Sequence, residues 1–295
     1  MHYCGIIPAV PTPFTGNDEI NYAVLRRLLE FLLRAGVQGI FLAGNAGEAH
    51  ALEDNEKRAL LRAALKTLDG RLPVIFGAGA PTTRAAIRLA QMAEAEGAQA
   101  ISIIAPYPVK PARNELQAHF RAVARKVKLP ILLYNNPALT GVAIPPKMAD
   151  ALRELPNIIG IKDSSGDLAL TMEFLRLQDG HFRVFAGRDG LILATLMQGG
   201  AGAVSAVAAA CPETALAIYR AWRRGDLAEA ALRQEQFARL RQLFNLGTFP
   251  ATLKAMLQMR GFDCGRPRAP IAPLPAAARR TIAKLLKEFN LGKAF

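Results

Sequence analysis

A chain of 295 residues that is 51% hydrophobic can bury a large core, either as one big α/β barrel or as two smaller domains. Three cysteines at wide spacings (Cys4, Cys211, Cys264) make neither a disulfide framework nor a metal site, which predicts a reducing cytoplasm. The formal charge of +13 raises nucleic acid as a partner, but residues 253–295 supply +7 of it with no interleaved stacking aromatics and no zinc-knuckle or helix-turn-helix signature, so a solvated basic face on terminal helices is expected and no nucleic acid.

The N-terminus Met1-His2-Tyr3-Cys4-Gly5 lacks a basic stretch followed by an apolar one, so no signal peptide is expected. Residues 6–10 then read as a strand, and 22–35 as a helix with Leu25, Leu28, Leu29 and Leu32 on one face. The alternation continues. Strands are expected at 39–42, 73–76, 100–104, 131–134, 158–161, 182–185 and 201–204, and helices at 55–68, 82–96, 113–126, 146–155 and 168–177. Eight strands alternating with helices predict an α/β fold, a (β/α)8 TIM barrel. A doubly wound sheet is the weaker reading, because Gly77-Ala78-Gly79 lacks the third glycine of a dinucleotide turn. The most apolar stretch, 201–211, is about half the ~20 residues of a membrane span and reads as core, so no membrane is expected. After Pro212 only helices follow, at 215–224, 227–243, 252–259 and 276–289. The barrel with its active site is assigned to 1–225, and 226–295 to a C-terminal helical extension of the same domain.

Residues at the carboxyl ends of barrel strands line the active site. Here those are Thr12, Gly44 to Glu48, Gly77, Pro106-Tyr107, Tyr134-Asn135, Lys162, Gly187-Arg188-Asp189 and Ser205. Lys162 stands out because it closes the aliphatic run Ile158-Ile159-Gly160-Ile161. An ammonium there is costly to bury and loses its proton more easily, which makes it a nucleophile toward carbonyl compounds. The competing reading is a lysine that snorkels to the rim. Tyr134 is one strand–helix–strand unit away, 28 residues, so phenol and amine project into the same cup, where the phenol can shuttle protons. Gly44-Asn45-Ala46-Gly47-Glu48 reads either as a turn whose free N–H groups hold a carboxylate at a helix N-terminus, or as an ordinary turn with Glu48 on the helix dipole. His2, His50, His119 and His181 are scattered with no partner at ligand spacing, so no metal is expected, and His50 is taken as a surface residue.

Together these segments resemble the dihydrodipicolinate synthase / N-acetylneuraminate lyase family of Schiff-base lyases. The likeness rests on Pro11-Thr12-Pro13-Phe14, the Gly-x-x-Gly-Glu turn at 44–48 with Leu52 and Glu56, Tyr134-Asn135-x-Pro137 with Thr140-Gly141, Gly160-Ile161-Lys162-Asp163 with Gly166, and Gly199-Gly200-x-Gly202. The resemblance implies a homotetrameric barrel with no metal or organic cofactor, and a lysine that condenses with pyruvate or a longer 2-oxo acid. By position it makes Lys162 the Schiff-base lysine and Tyr134 the proton shuttle. Asn45 and Ala46 fall where the carboxylate is held, and Gly187 and Val204 where the pyruvate pocket is lined.

Departures from the family pattern bear on the reaction. The two threonines usual in the synthases' turn are Asn45 and Ala46 here, Pro108 stands where a relay tyrosine would be, and Leu139 replaces an arginine that binds the aldehyde partner's carboxylate. Neuraminate lyases carry Asp-Glu after the glycine at 187, whereas Arg188-Asp189-Gly190 follows here. The expectation is therefore a class I aldolase or dehydratase acting on a 4-hydroxy-2-oxo acid such as 4-hydroxy-2-oxoglutarate or a 2-keto-3-deoxy sugar acid. Asn45 is expected to hydrogen-bond Tyr134 in place of a hydroxyl. Arg188 either grips a distal carboxylate or pairs with Asp189 as a solvated rim arginine. The alternatives are dihydrodipicolinate synthase and a non-catalytic barrel that binds 2-oxo acids.

Overall fold

The computed structural model describes residues 3–294, so the N-terminal reading of Met1 and His2 lies outside the described residues. Eight parallel strands form one sheet: β1 (Gly5–Pro8), β2 (Ile40–Leu42), β3 (Val74–Gly77), β4 (Ala100–Ile104), β5 (Ile131–Asn135), β6 (Ile158–Asp163), β7 (Arg183–Ala186) and β8 (Gly202–Ser205). The order is β1-β8-β7-β6-β5-β4-β3-β2. The ends meet where Ala9 bridges Phe41 in parallel and the Val10 N–H donates to the Phe41 carbonyl at 3.0 Å. This is the expected barrel. Its strands are mostly apolar and, apart from the half-buried Ile104, Ile159 and Arg183, buried, because side chains fill the interior while helices cover the outside.

The outer ring comprises α1 (Tyr22–Ala35), α2 (Asp54–Leu68), α3 (Thr83–Glu96), α4 (Arg113–Ala124), α5 (Pro137–Thr140), α6 (Pro146–Arg153), α7 (Leu168–Leu175), α8 (Ile192–Met197), α9 (Val207–Ala210) and α10 (Pro212–Arg223). In α1 the leucine face is buried as its spacing predicts, the Asn21 side chain caps the Val24 N–H, and Gly36 ends the helix at φ 86°. The short α5, α8 and α9 have no counterpart among the predicted elements, since four to six residues are too few to display a helical period.

The extension consists of α11 (Leu227–Gln242), α12 (Ala251–Met259) and α13 (Ala276–Glu288). Its basic residues correct the expectation of a wholly solvated face. Lys254 is 2% exposed with Nζ 2.6 Å from Glu48, itself fully buried, and donates to the Arg266 carbonyl at 3.1 Å. Arg260 is buried on Glu213 and the Gly292 carbonyl. Arg268 grips Glu56 with both terminal nitrogens and the Asp18 and Ala51 carbonyls. Buried cations persist only when paired, and these pairs tie the extension to three places: Lys254 to Glu48 in the turn after β2, Arg260 to Glu213 on α10, and Arg268 to Glu56 on α2.

Candidate active site

β6 runs through Lys162 to Asp163, so the lysine lies within the strand rather than just beyond it. Strand alternation turns Lys162 into the barrel, while Ile161 and Asp163 face outward. Tyr134 is its register partner on β5. The outward neighbours lock that register: Asn135 Nδ2 donates to Asp163 at 2.8 Å, and Asp163 also accepts from the hydroxyls of Thr171 (2.6 Å) and Ser165 (2.9 Å). A buried carboxylate with this many donors holds both strand ends rigidly.

Lys162 is 5% exposed. Its Nζ lies 4.0 Å from the Tyr134 ring centroid and 4.7 Å from that of Phe41, with no carboxylate in ion-pair contact among the described residues. The amine is therefore packed on the faces of Tyr134 and Phe41. The Tyr134 hydroxyl accepts from Asn136 Nδ2 at 3.1 Å. Burial pushes this phenol up, but the Lys162 charge and hydrogen bonds from Asn136, Ser164 and Lys162 outweigh it, and the phenol sits below its ordinary value. Asn136 thus holds Tyr134 where Asn45 was expected. Asn136 is two residues past Tyr134, the same-face position on an extended chain, a spacing that could have identified it but was not used.

The turn differs from its expected setting. Gly44 to Glu48 leads into a one-turn 3-10 helix at Ala49–Ala51, not into the N-terminus of α2. The N–H groups of Gly47, Glu48 and Ala49 are consumed on carbonyls of Gly44 and Asn45, which leaves those of Asn45 and Ala46 without an acceptor among the described residues. Ala43 (φ 50°) and Glu48 (φ 55°) both adopt left-handed conformations, backbone strain that is stored at this turn. Glu48 points away from the cup toward Lys254. Thr12 does not line the cavity; its hydroxyl donates to the Gly47 carbonyl at 2.7 Å and pins the turn from behind.

The cavity over Lys162 has a volume of about 290 Å³, and Asn45, Ala46, Tyr134, Gly187, Arg188 and Val204 are among the residues that line it. Gly187 is required by space: a Cβ there would lie 2.0 Å from the Ser164 hydroxyl and 2.8 Å from the Asp163 carbonyl. Arg188 is not paired with Asp189. Its Nε donates to the Ser164 carbonyl at 2.9 Å, while the buried Asp189 carboxylate accepts from the Ser205 hydroxyl and lies 3.6 Å from Arg241. Burial raises the Asp189 carboxyl above its ordinary value, against the pull of Ser205 and the cations Arg241, Lys162 and Arg188. Leu139 lines the mouth and is 39% exposed. Sequence reasoning missed Ser164 and the residues that the extension sends into the cavity: Arg241, Phe244, Asn245 and Phe249.

Behind Tyr134 a smaller space is bounded by Tyr107, the exposed His50 and Ser102, whose buried hydroxyl has no protein partner. Burial, and then the Tyr134 charge, raise the Tyr107 phenol. No cluster of side chains suited to hold a metal ion occurs among the described residues.

The profile of the dihydrodipicolinate synthetase family matches residues 2–289. The chain is 38% identical over 264 residues to an Escherichia coli protein named "Probable 2-dehydro-3-deoxy-D-pentonate aldolase YjhH", covering 88% of each. It is 36% identical over 289 residues to 4-hydroxy-tetrahydrodipicolinate synthase of Methanopyrus kandleri, covering 97% of this chain and 96% of that one. Among solved structures, the E. coli protein YagE in complex with pyruvate superposes with a TM-score of 0.95 at 34% identity, covering 99% of this chain and all of the other. With the same barrel and a match spanning nearly its whole length, the chain belongs to the dihydrodipicolinate synthetase family.

Proposed function

We propose that the protein is a class I lyase that forms a Schiff base between Lys162 and a 2-oxo acid and cleaves or dehydrates a 4-hydroxy-2-oxo acid. The carrying observation is a buried amine with no carboxylate in ion-pair contact among the described residues, packed on a phenol held below its ordinary pKa. Lys162 Nζ adds to C2, the carbinolamine loses water, and the resulting iminium draws electrons from C3. Tyr134, as phenolate, takes the proton of the 4-hydroxyl as the C3–C4 bond breaks, and an aldehyde leaves. Protonation of the enamine at C3 and hydrolysis then release pyruvate and free the lysine. The bare N–H groups of Asn45 and Ala46 receive the C1 carboxylate, and Gly187 and Val204 bound the three-carbon unit.

The second reading is 4-hydroxy-tetrahydrodipicolinate synthase, favoured by the Methanopyrus relative and opposed by Leu139 and Pro108. A screen of 4-hydroxy-2-oxo acids for pyruvate release tests the two. Cleavage without condensation of pyruvate and the synthase's aldehyde supports the lyase; condensation alone supports the synthase. The reading needs no metal or organic cofactor. It includes assembly as a homotetramer in the cytoplasm, which light scattering of the purified protein and localisation of a tagged chain would check. No described helix is long and apolar enough to cross a membrane.

A further inference from the structure

We propose that Arg241 and Arg188 together form a subsite for a second anionic group, carboxylate or phosphate, at the far end of the 2-oxo acid held by Lys162. The proposal rests on the Schiff-base reading and extends it to substrate class. Arg241 comes from the last turn of α11, outside the barrel, yet its side chain is only 29% exposed and lines the Lys162 cavity.

Its donors are idle. Among the described residues no hydrogen bond from the guanidinium is found: Asp189 Oδ2 stands 3.6 Å from Nε, and the group lies over the face of Phe244, 4.9 Å to the centroid. Arg188 spends Nε on the Ser164 carbonyl and, among the described residues, leaves both terminal nitrogens unused. Arg268, by contrast, spends its terminal nitrogens on Glu56 and two carbonyls. Guanidinium groups built only to hold the fold look like Arg268; these two are unspent and face a cavity.

The charge balance points the same way. Lys162, Arg188 and Arg241 line the cavity against one carboxylate, Asp189, which already accepts the Ser205 hydroxyl. Burial first, and then repulsion by Arg188, lower the Arg241 value, so an anion between the two guanidinium groups would relieve both penalties. Neutral hydroxyls would leave the two cations unbalanced. Leu139 offers no cation at the mouth, so this pair from β7's end and the extension is the available anchor.

The test uses borohydride trapping on the full chain with two five-carbon acids, 2-oxoglutarate and 2-oxopentanoate, which differ only in the distal carboxylate. Half-trapping of the wild type is expected at a concentration about tenfold lower for 2-oxoglutarate, the order of one charge-assisted hydrogen bond at about 1.4 kcal/mol per decade. In Arg241→Ala the preference should shrink to within about twofold, with Arg241→Lys intermediate because it keeps charge but loses the fork. Comparing 2-keto-3-deoxy-6-phosphogluconate with its unphosphorylated form tells phosphate from carboxylate as the preferred anion. The proposal is overturned if the wild type has no preference for either anion, if Arg241→Ala keeps it, or if that variant loses both acids of a pair equally. Absence of any adduct in the wild type would overturn the Schiff-base reading itself, and the subsite with it.

Discussion

Replacing Lys254 by methionine would leave the Glu48 carboxylate fully buried, with the Arg268 backbone N–H at 2.9 Å as its remaining hydrogen bond. Breaking one side of a buried pair costs about 3–5 kcal/mol, because the orphaned charge keeps its desolvation penalty. Unfolding entropy of about 2.1 cal/mol/K per residue over this length gives roughly 0.6 kcal/mol per degree, so Lys254→Met should lower Tm by about 5–8 °C. Burial depresses the Lys254 amine and Glu48 opposes that, so the double variant Lys254→Met/Glu48→Gln, which removes both charges, should recover about half the loss. Scanning calorimetry of the two single variants and the double variant measures this. A single-variant shift under about 1 °C, or strictly additive losses, would refute the argument that this pair clamps the extension to the turn carrying Asn45 and Ala46.

Two further outcomes follow from the site and the core. Tyr134→Phe should still trap pyruvate but lower kcat by about 10²–10⁴-fold, the usual loss for a general acid–base group, and near-normal turnover would assign the proton transfer elsewhere. His119, buried and bonded through Nδ1 to Thr83 at 2.9 Å, is pushed by burial down to about 4. The unfolded chain therefore binds the extra proton between its ordinary value and about 4, so stability is full above pH ~6.5 and falls with pH through that window, by up to roughly 3 kcal/mol. Urea titrations across that window should show a flatter acid limb for His119→Leu; an unchanged slope would place the acid sensitivity on other groups.

The architecture was legible because each strand is a short aliphatic run and each long helix repeats its apolar face; for α1 the expected and observed bounds coincide. Lys162 and Tyr134 were legible for the same reason, as polar groups breaking aliphatic strands. What was hidden depends on chain segments far apart in sequence. Nothing local in α11 separates Arg241 from the half-buried Arg233 and the exposed Arg239; only the return of the extension over the barrel mouth brings it to the Lys162 cavity. Lys254, Arg260 and Arg268 read as surface charge because their partners Glu48, Glu213 and Glu56 lie 47 to 212 residues away. Asn136 was overlooked in favour of Asn45 because the turn's hydrogen bonding cannot be read from its composition.

The central claim is that Lys162 is the nucleophile, and the chain offers an internal control in Lys254, the other buried lysine, whose ammonium is held on Glu48. Incubation with pyruvate and borohydride, followed by peptide mass mapping, should place one reduced adduct on Lys162 and none on Lys254, and Lys162→Arg should abolish it because a guanidinium keeps its proton. An adduct on any other lysine, or none on the wild type, would contradict the account.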